Sequence, residues 1–294
     1  MDDKMNIQWY PGHMTKTRRQ MEADLKLVDA VCEIVDARIP LASRNPDIDA
    51  ICGAKPRMMI LNRIDLADPA ATAVWADWFR KQGMAVVPTD CKSRRGINRF
   101  VPAVRELLSE KLRRYAEKGF VNKPLKLMIV GIPNVGKSTF INQIAGRKGA
   151  KAENRPGVTR GKQWVTVDTG LLLLDTPGIL WPKLGDEEVG RRLAYTGAVK
   201  DNVLDTETLA LHLMKLLYTR YPEALRERYK LDCPPETDGF ALLSEAARKR
   251  GFLLARGELD TERMARILLE EFRSGKIGKF TLELPEGTEE TTHV

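Results

Sequence analysis

No stretch of this sequence approaches the ~20 consecutive apolar residues that a bilayer-spanning helix needs, which argues against a helical membrane protein. Cysteine is scarce. Cys32, Cys52, Cys91 and Cys233 lie far apart and never in C-x-x-C spacing, which speaks against a zinc site and a disulfide framework. Aromatic residues make up only 6%, so most are expected in a core rather than on a stacking surface. The opening MDDKMN carries acid and has no apolar segment, so it fits neither a secretory signal nor an acid-poor transit peptide. A cytoplasmic chain with no membrane partner is therefore expected, and a monomer. Charge is abundant: 48 Lys+Arg face 40 Asp+Glu, a net +8, compatible with a polyanionic partner without establishing one. The 294 residues allow about two domains at ~150 residues each.

Six short apolar runs read as strands: Asp29–Asp36, Pro56–Asn62, Met84–Pro88, Leu125–Val130, Gln163–Asp168 and Leu171–Asp175. Several are nearly continuous, as strands covered on both faces should be. Segments of helical length, such as Asp68–Gln82 and Ile97–Glu117, alternate with them, which predicts an α/β fold with a mostly parallel sheet. Only Thr169-Gly170 separates the last two runs, so one antiparallel edge is expected. After Val203 the pattern turns helical. Asp205 can cap a helix carrying Leu209, Leu213, Leu216 and Leu217, and Asp260 one carrying Met264, Ile267, Leu268 and Phe272. The predicted division is 1–203 and an all-α 204–294, with Cys233-Pro234-Pro235 a break and 286–294 a disordered tail.

Gly131-Ile-Pro-Asn-Val-Gly136-Lys137-Ser138 matches G-x-x-x-x-G-K-[ST], directly after one predicted strand and before a plausible helix, Ser138–Ala145. That context marks a phosphate-binding P-loop. Its glycines let backbone amides close on phosphate oxygens, and the helix terminus adds partial positive charge. Asn134, Val135, Gly136, Lys137, Ser138 and Thr139 are thus the phosphate-binding candidates. Lys137 would hold the β/γ-phosphates and the Ser138 hydroxyl a Mg²⁺ ion. Asp175-Thr-Pro-Gly178 ends another strand, where Asp175 can reach the Mg²⁺ shell through water and the Gly178 amide the γ-phosphate. Asn62-Arg63-Ile64-Asp65 looks like the guanine-reading N-K-x-D element, with Arg63 in the lysine position. A carboxylate at Asp65 accepts from guanine N1–H and N2–H₂; adenine offers neither donor. This guanine element precedes the P-loop, the reverse of Ras-like order. Moving the first three strands to the end restores that order, which describes a circular permutation joined through the basic stretch Arg113–Lys123.

On these motifs, together with Trp9-Tyr-Pro-Gly-His13-Met14, Val35-Asp36-Ala37-Arg38-Ile39-Pro40 and Phe272-Arg-Ser-Gly-Lys276, the chain resembles the circularly permuted GTPases of the YlqF type over nearly its whole length. The resemblance implies a circularly permuted Ras-like P-loop domain with a six-stranded sheet, followed by a smaller helical domain. It also implies GTP/GDP and Mg²⁺ as ligands, and hydrolysis coupled to late assembly of the large (50S) ribosomal subunit, with rRNA and ribosomal proteins as partners and the particle as stimulator. Within it, Thr159 resembles the switch threonine over Mg²⁺. Asp90 and Cys91 fall in the base-contacting loop, where they either offer backbone contacts or form a turn without ligand contact. Ile179 stands where Ras-like enzymes carry a glutamine. His13 takes the water-positioning role by resemblance, or is a structural histidine packed beneath Trp9 and Tyr10. Asn134 resembles the P-loop asparagine of potassium-activated members, or simply suits the loop's backbone angles.

Lys92–Lys118 holds nine Lys/Arg against three Glu, and Arg147–Lys162 six against Glu153. Such faces either neutralise rRNA phosphates or are ordinary solvated helix. Two other functions compete with a ribosome-gated GTPase: an RNA-binding assembly factor in which GTP only stabilises the fold, and an ATP-using P-loop enzyme, against which Asn62 and Asp65 argue.

Overall fold

The computed structural model describes residues 12–120, 123–149, 163–168, 170–176, 187–199 and 205–287, with backbone alone for 12–17, 147–149, 163 and 168. These residues form two compact units, divided between Lys183 and Leu184.

The first unit is built on six strands, β1 (Ala30–Asp36), β2 (Arg57–Asn62), β3 (Ala85–Thr89), β4 (Leu125–Val130), β5 (Gln163–Asp168) and β6 (Leu171–Asp175). They lie in the order β3-β2-β1-β4-β6-β5. Every pairing is parallel except β5 with β6, the expected antiparallel edge. Each strand lies within a residue of its predicted span. All seven residues of β1 are buried, because a central strand flanked by β2 and β4 has helices on both faces. On one face α1 (Gly12–Leu25) and α2 (Ile48–Cys52) place Met21, Leu25, Ile48 and Cys52 against Val31, Met128 and Leu174. On the other, α3 (Pro69–Lys81) lays Trp75, Ala76 and Phe79 against Val35, Met59 and Leu61. Asp68 starts α3 by accepting from the amides of Ala70 and Ala71 at 2.7 and 3.3 Å, with Pro69 in the first turn, where a missing N–H costs nothing.

The single helix expected over Ile97–Glu117 is three pieces: a 3₁₀ turn (Ile97–Arg99), α4 (Phe100–Leu107) and α5 (Ser109–Glu117). Leu108 turns inward to burial with φ −107° and ψ 21°, which ends α4 and redirects α5. The helix after the P-loop, α6 (Lys137–Gly149), leaves helical angles at Gly146, so its regular part closes at Ala145 as predicted.

The second unit holds α7 (Glu187–Tyr195), α8 (Thr206–Arg220), α9 (Pro222–Tyr229), α10 (Gly239–Lys249) and α11 (Thr261–Ser274). Leu209, Leu213, Leu217, Leu242, Leu243, Met264, Leu268 and Phe272 form its core. Asp205 and Asp260 cap α8 and α11 as expected, accepting from the amides of Glu207 at 3.1 Å and Arg263 at 2.9 Å. The break at Cys233–Pro235 falls between α9 and α10. The dividing line lies about twenty residues before the expected 203/204 boundary because α7 belongs here. Arg273 donates to the carbonyls of Ala194 and Tyr195 at 2.8 and 3.0 Å, and Arg192 pairs with Glu283 at 2.9 Å. Residues 288–294 of the predicted tail lie outside the described residues.

Candidate functional site

Three loops meet at the carboxyl ends of β2, β3 and β4. Asn62, the last residue of β2 and only 2% exposed, stitches them together. Its Nδ2 donates to the Val135 carbonyl at 2.7 Å, and its Oδ1 accepts from Thr89 Oγ1 at 3.2 Å and from the Cys91 amide at 3.4 Å. Gly136 passes so close, with φ 94°, that a Cβ there would sit 2.3 Å from Asn62 Nδ2. Next to it Arg63 adopts φ 67° and donates through Nη2 to the Asn134 carbonyl at 2.6 Å. The arginine thus reaches the P-loop through its guanidinium head. Ile64 is buried beneath this turn, while Asp65 is half-buried near Cys91 with no hydrogen bond or ion pair among the described residues.

The P-loop enters α6 at Lys137, and the first helical bond runs from the Phe140 amide to Gly136 O at 2.8 Å. The amides of Lys137, Ser138 and Thr139 therefore have no helical acceptor, which makes this terminus an anion site. The Lys137 ammonium lies 3.5 Å from Asp175 Oδ1. Burial pulls the lysine below its usual value, and the Asp175 charge opposes that pull. Thr176 is buried and donates to Ile129 O at 2.6 Å, fixing the end of β6 against β4. Asp175 Oδ1 is itself buried without a hydrogen-bond donor. A carboxylate oxygen there whose neighbour is the Lys137 ammonium, with the exposed Ser138 hydroxyl in the first turn of α6, is a hard-oxygen donor set of the kind Mg²⁺ takes.

In the base-side loop Asp90 folds onto its own chain, accepting from the Lys92 and Ser93 amides at 2.8 and 3.2 Å. That leaves the Cys91 amide, with its long 3.4 Å bond, as the weakly held donor of the turn. Burial pushes the Cys91 thiol up to about 11, so it is a packing group at neutral pH.

Comparison with known proteins follows this geometry. A family model described as "50S ribosome-binding GTPase" matches residues 126–230. It takes in the P-loop and Asp175 but not Asn62–Asp65, as a colinear match must when the order is permuted. Ribosome biogenesis GTPase A of Priestia megaterium is 48% identical over 97% of this chain and 99% of its own. The chain belongs to the ribosome biogenesis GTPase A family. It is similar also to mitochondrial ribosome-associated GTPase 1 of Xenopus tropicalis, 36% identical over 83% of this chain and 80% of that one. GNP-bound YlqF from T. maritima superposes with TM-score 0.62, 28% identical, covering 92% of this chain and 99% of that one.

Ribosome biogenesis GTPase A members are GTP-hydrolysing enzymes, and in this one the strand order β3-β2-β1-β4-β6-β5 becomes the ordinary Ras-like sheet once β1–β3 are moved behind β6. Two residues that sequence reasoning did not assign support the guanine loop. Asp36 ends β1 and accepts from Arg38 Nε and Nη2 at 2.9 and 2.7 Å, with both side chains buried. Burial alone would raise the Asp36 carboxyl; Arg38, with Arg63 Nε 3.9 Å away, holds it below its usual value instead. The signal was the D-A-R triplet itself, since two opposite charges beside a buried strand end must pair. Thr89, fully buried at the end of β3, is the other. Thr159, Gly178, Ile179, Trp9 and Tyr10 lie outside the described residues, and so do the side chains of His13 and of Arg147–Lys162. The His13 backbone lies in the first turn of α1. Met21 of that helix shares a small cleft with Gly131 and Thr176. Trp164 is half-buried against the core around Leu174, which suits packing rather than base stacking.

Proposed function

We propose that this GTPase uses GTP hydrolysis to drive or check a late step in assembly of the large ribosomal subunit, acts as a monomer in the cytoplasm, and is stimulated by the particle. The family relationship supports the ribosomal setting, and the observation that carries the nucleotide choice is the unengaged Asp65 carboxylate beside loops that Asn62 ties to the P-loop. Asp65 accepts from guanine N1–H and N2–H₂, and the Asp90–Cys91 turn offers a backbone amide to the base. Amides from Asn134 to Thr139 close around the phosphates, Lys137 holds the β/γ oxygens, and the Gly178 amide meets the γ-phosphate. Ser138, Thr159 and, through water, Asp175 would hold Mg²⁺, which would supply positive charge against the phosphates.

His13 positions the attacking water, in place of the glutamine that Ile179 replaces. Met21 lines a cleft with Gly131 and Thr176, and helical rise carries the His13 backbone about 12 Å further along α1, toward the carboxyl end of the sheet. With neither glutamine nor arginine finger in the sequence motifs, turnover in isolation is slow. A K⁺ ion at Asn134 would supply positive charge at the phosphates. The left-handed backbone of Asn134 (φ 64°) accounts for asparagine without a cation, so the ion stands or falls on rates in KCl against NaCl.

The test is GTP hydrolysis in potassium buffer with and without large subunits, for wild type and His13→Ala. A subunit-dependent rise that disappears in the variant is the expected result. Equal turnover free and bound would overturn the particle-gated reading.

A further inference from the structure

At the opposite end of the sheet from the P-loop, α5 crosses the starts of β4 and β6 without burying a single residue fully. A helix of nine residues is marginal in water unless its apolar face is covered, and this one keeps Leu112 and Tyr115 only half-covered. Between α4, α5 and the first residues of β4 and β6 lies a cleft of about 190 Å³. Its floor is apolar, with Val104, Leu112, Leu125 and Leu171, and its mouth carries Tyr115 and Phe120 with Arg105 and Lys123. Phe120 is 50% exposed and stands edge-on to Tyr115 at 6.1 Å. The Lys123 ammonium lies 4.6 Å from both ring centroids. Outside the mouth, Arg113 and Arg114 project from α5, partly offset by Glu110 and Glu117. From Arg105 to Lys123 six Lys/Arg stand against three Glu.

We propose that this cleft docks an unstacked nucleotide of single-stranded RNA. Its 190 Å³ is below the ~300–1,000 Å³ of pockets that engulf a whole small ligand, so one ring of a longer chain suits it better than a free metabolite. An exposed ring such as Phe120 is a platform on which any base stacks, and cations around it track the phosphates on either side. An apolar peptide side chain would also fit the floor, but it would make no use of the net positive charge of the surrounding 105–123 stretch, which a phosphate backbone does. The joint of the permuted chain thereby becomes a binding feature. A parallel strand rises ~3.3 Å per residue, so the six residues of β4 put the cleft about 20 Å from the P-loop, and a ligand in it touches no nucleotide-binding residue. The inference refines the proposed ribosomal function by naming the RNA feature one face accepts.

The test is fluorescence anisotropy of the full chain with a labelled single-stranded 12-nucleotide RNA and with a blunt duplex of the same length, each over a salt series. Wild type is expected to bind the single strand more tightly. Phe120→Ala should weaken that binding about tenfold with the salt slope unchanged, since one stacking contact is lost. Arg113→Gln with Arg114→Gln should flatten the single-strand slope by about 1.4. Affinity for a fluorescent GTP analogue should stay the same in every variant, which certifies the fold. Wild-type affinity in Phe120→Ala, equal binding of duplex and single strand, or capture of an apolar peptide with no RNA binding would each overturn the proposal. Co-sedimentation of wild type with large subunits separates the two readings. Sedimentation without oligonucleotide binding overturns the cleft alone, and oligonucleotide binding without sedimentation overturns the ribosomal reading alone.

Discussion

Replacing Gly136 by alanine would bring a methyl to 2.3 Å from Asn62 Nδ2, at a φ of 94° that side chains rarely adopt. The backbone strain is roughly 1–2 kcal/mol. Asn62 is too enclosed to swing away freely, so relief of the clash breaks its 2.7 Å bond to Val135 O. Leaving those buried groups unpaired costs a further ~1–3 kcal/mol. The sum, ~2–5 kcal/mol, falls on the loop that closes around the phosphates, and raises the Kd for GTP roughly 30-fold or more. Asn62→Ala loses the same bond together with those from Thr89 and Cys91, yet it also removes the atom that the new methyl strikes. The double variant should therefore lose ~1–3 kcal/mol less than the two single losses added together. Titrating a fluorescent GTP analogue into wild type, both singles and the double reads this directly, with circular dichroism to confirm folding. Additivity within ~0.5 kcal/mol would refute the idea that Asn62 couples the base-reading and phosphate-binding loops.

Asp65→Asn replaces a double acceptor by a group that also donates, so GTP affinity should fall at least 100-fold while a 2-oxo purine triphosphate gains, as competition binding would show; unchanged GTP affinity would remove Asp65 from the base site. Burial would raise the Glu271 carboxyl, but hydrogen bonds from Arg228 and Tyr229 outweigh it and hold the group below its usual value. Its stabilising contribution is therefore fully present above the unfolded pKa of ~4.3 and is lost as pH falls through the lower folded value. Thermal melts from pH 6 to pH 3 should show this loss in wild type and a flatter profile in Glu271→Gln. Gly239→Ala would drive a Cβ to 2.3 Å from Leu211 O, a backbone atom of α8. Separating α8 from α10 should cost ~1–3 kcal/mol, a melting shift of at least several degrees for the second unit by calorimetry.

The strands were legible because a central parallel strand is buried on both faces and so appears as an unbroken apolar run, as in Met58–Leu61 and Leu127–Val130. Asp68, Asp205 and Asp260 marked helix starts because a cap is a local bond within three residues. What the chain did not disclose depends on distant partners. α7 joins the helical unit through Arg273, some eighty residues downstream of the Ala194 and Tyr195 carbonyls it holds. Leu108 interrupts Ile97–Glu117 because its side chain is drawn into the core, not because of any breaker residue. In the site, the P-loop and Asn62-Arg63-Ile64-Asp65 were readable as motifs, since each supplies backbone or side-chain groups from one short segment. The roles of Thr89 and Thr176 were not, because a lone threonine becomes informative only when its acceptor, Asn62 Oδ1 or Ile129 O, is known.

The permutation leaves the sheet unchanged but alters which loops are covalently continuous. In ordinary Ras-like order the strand carrying the Asp175-type residue runs on, through a switch and its helix, into the strand that corresponds to β1. Here that connection is cut. The chain leaving Asp175-Thr176 reaches α7 after ten further residues, 177–186, and α7 packs with α8 and α11. The end of β6 is thus held by Thr176, locked onto Ile129 O, and the next described element in the chain is a helix clamped by Arg273. The cut also leaves β1 to be entered from α1, the helix that carries His13. That helix brings Met21 to the cleft that Gly131 and Thr176 also line, at the ends of β4 and β6.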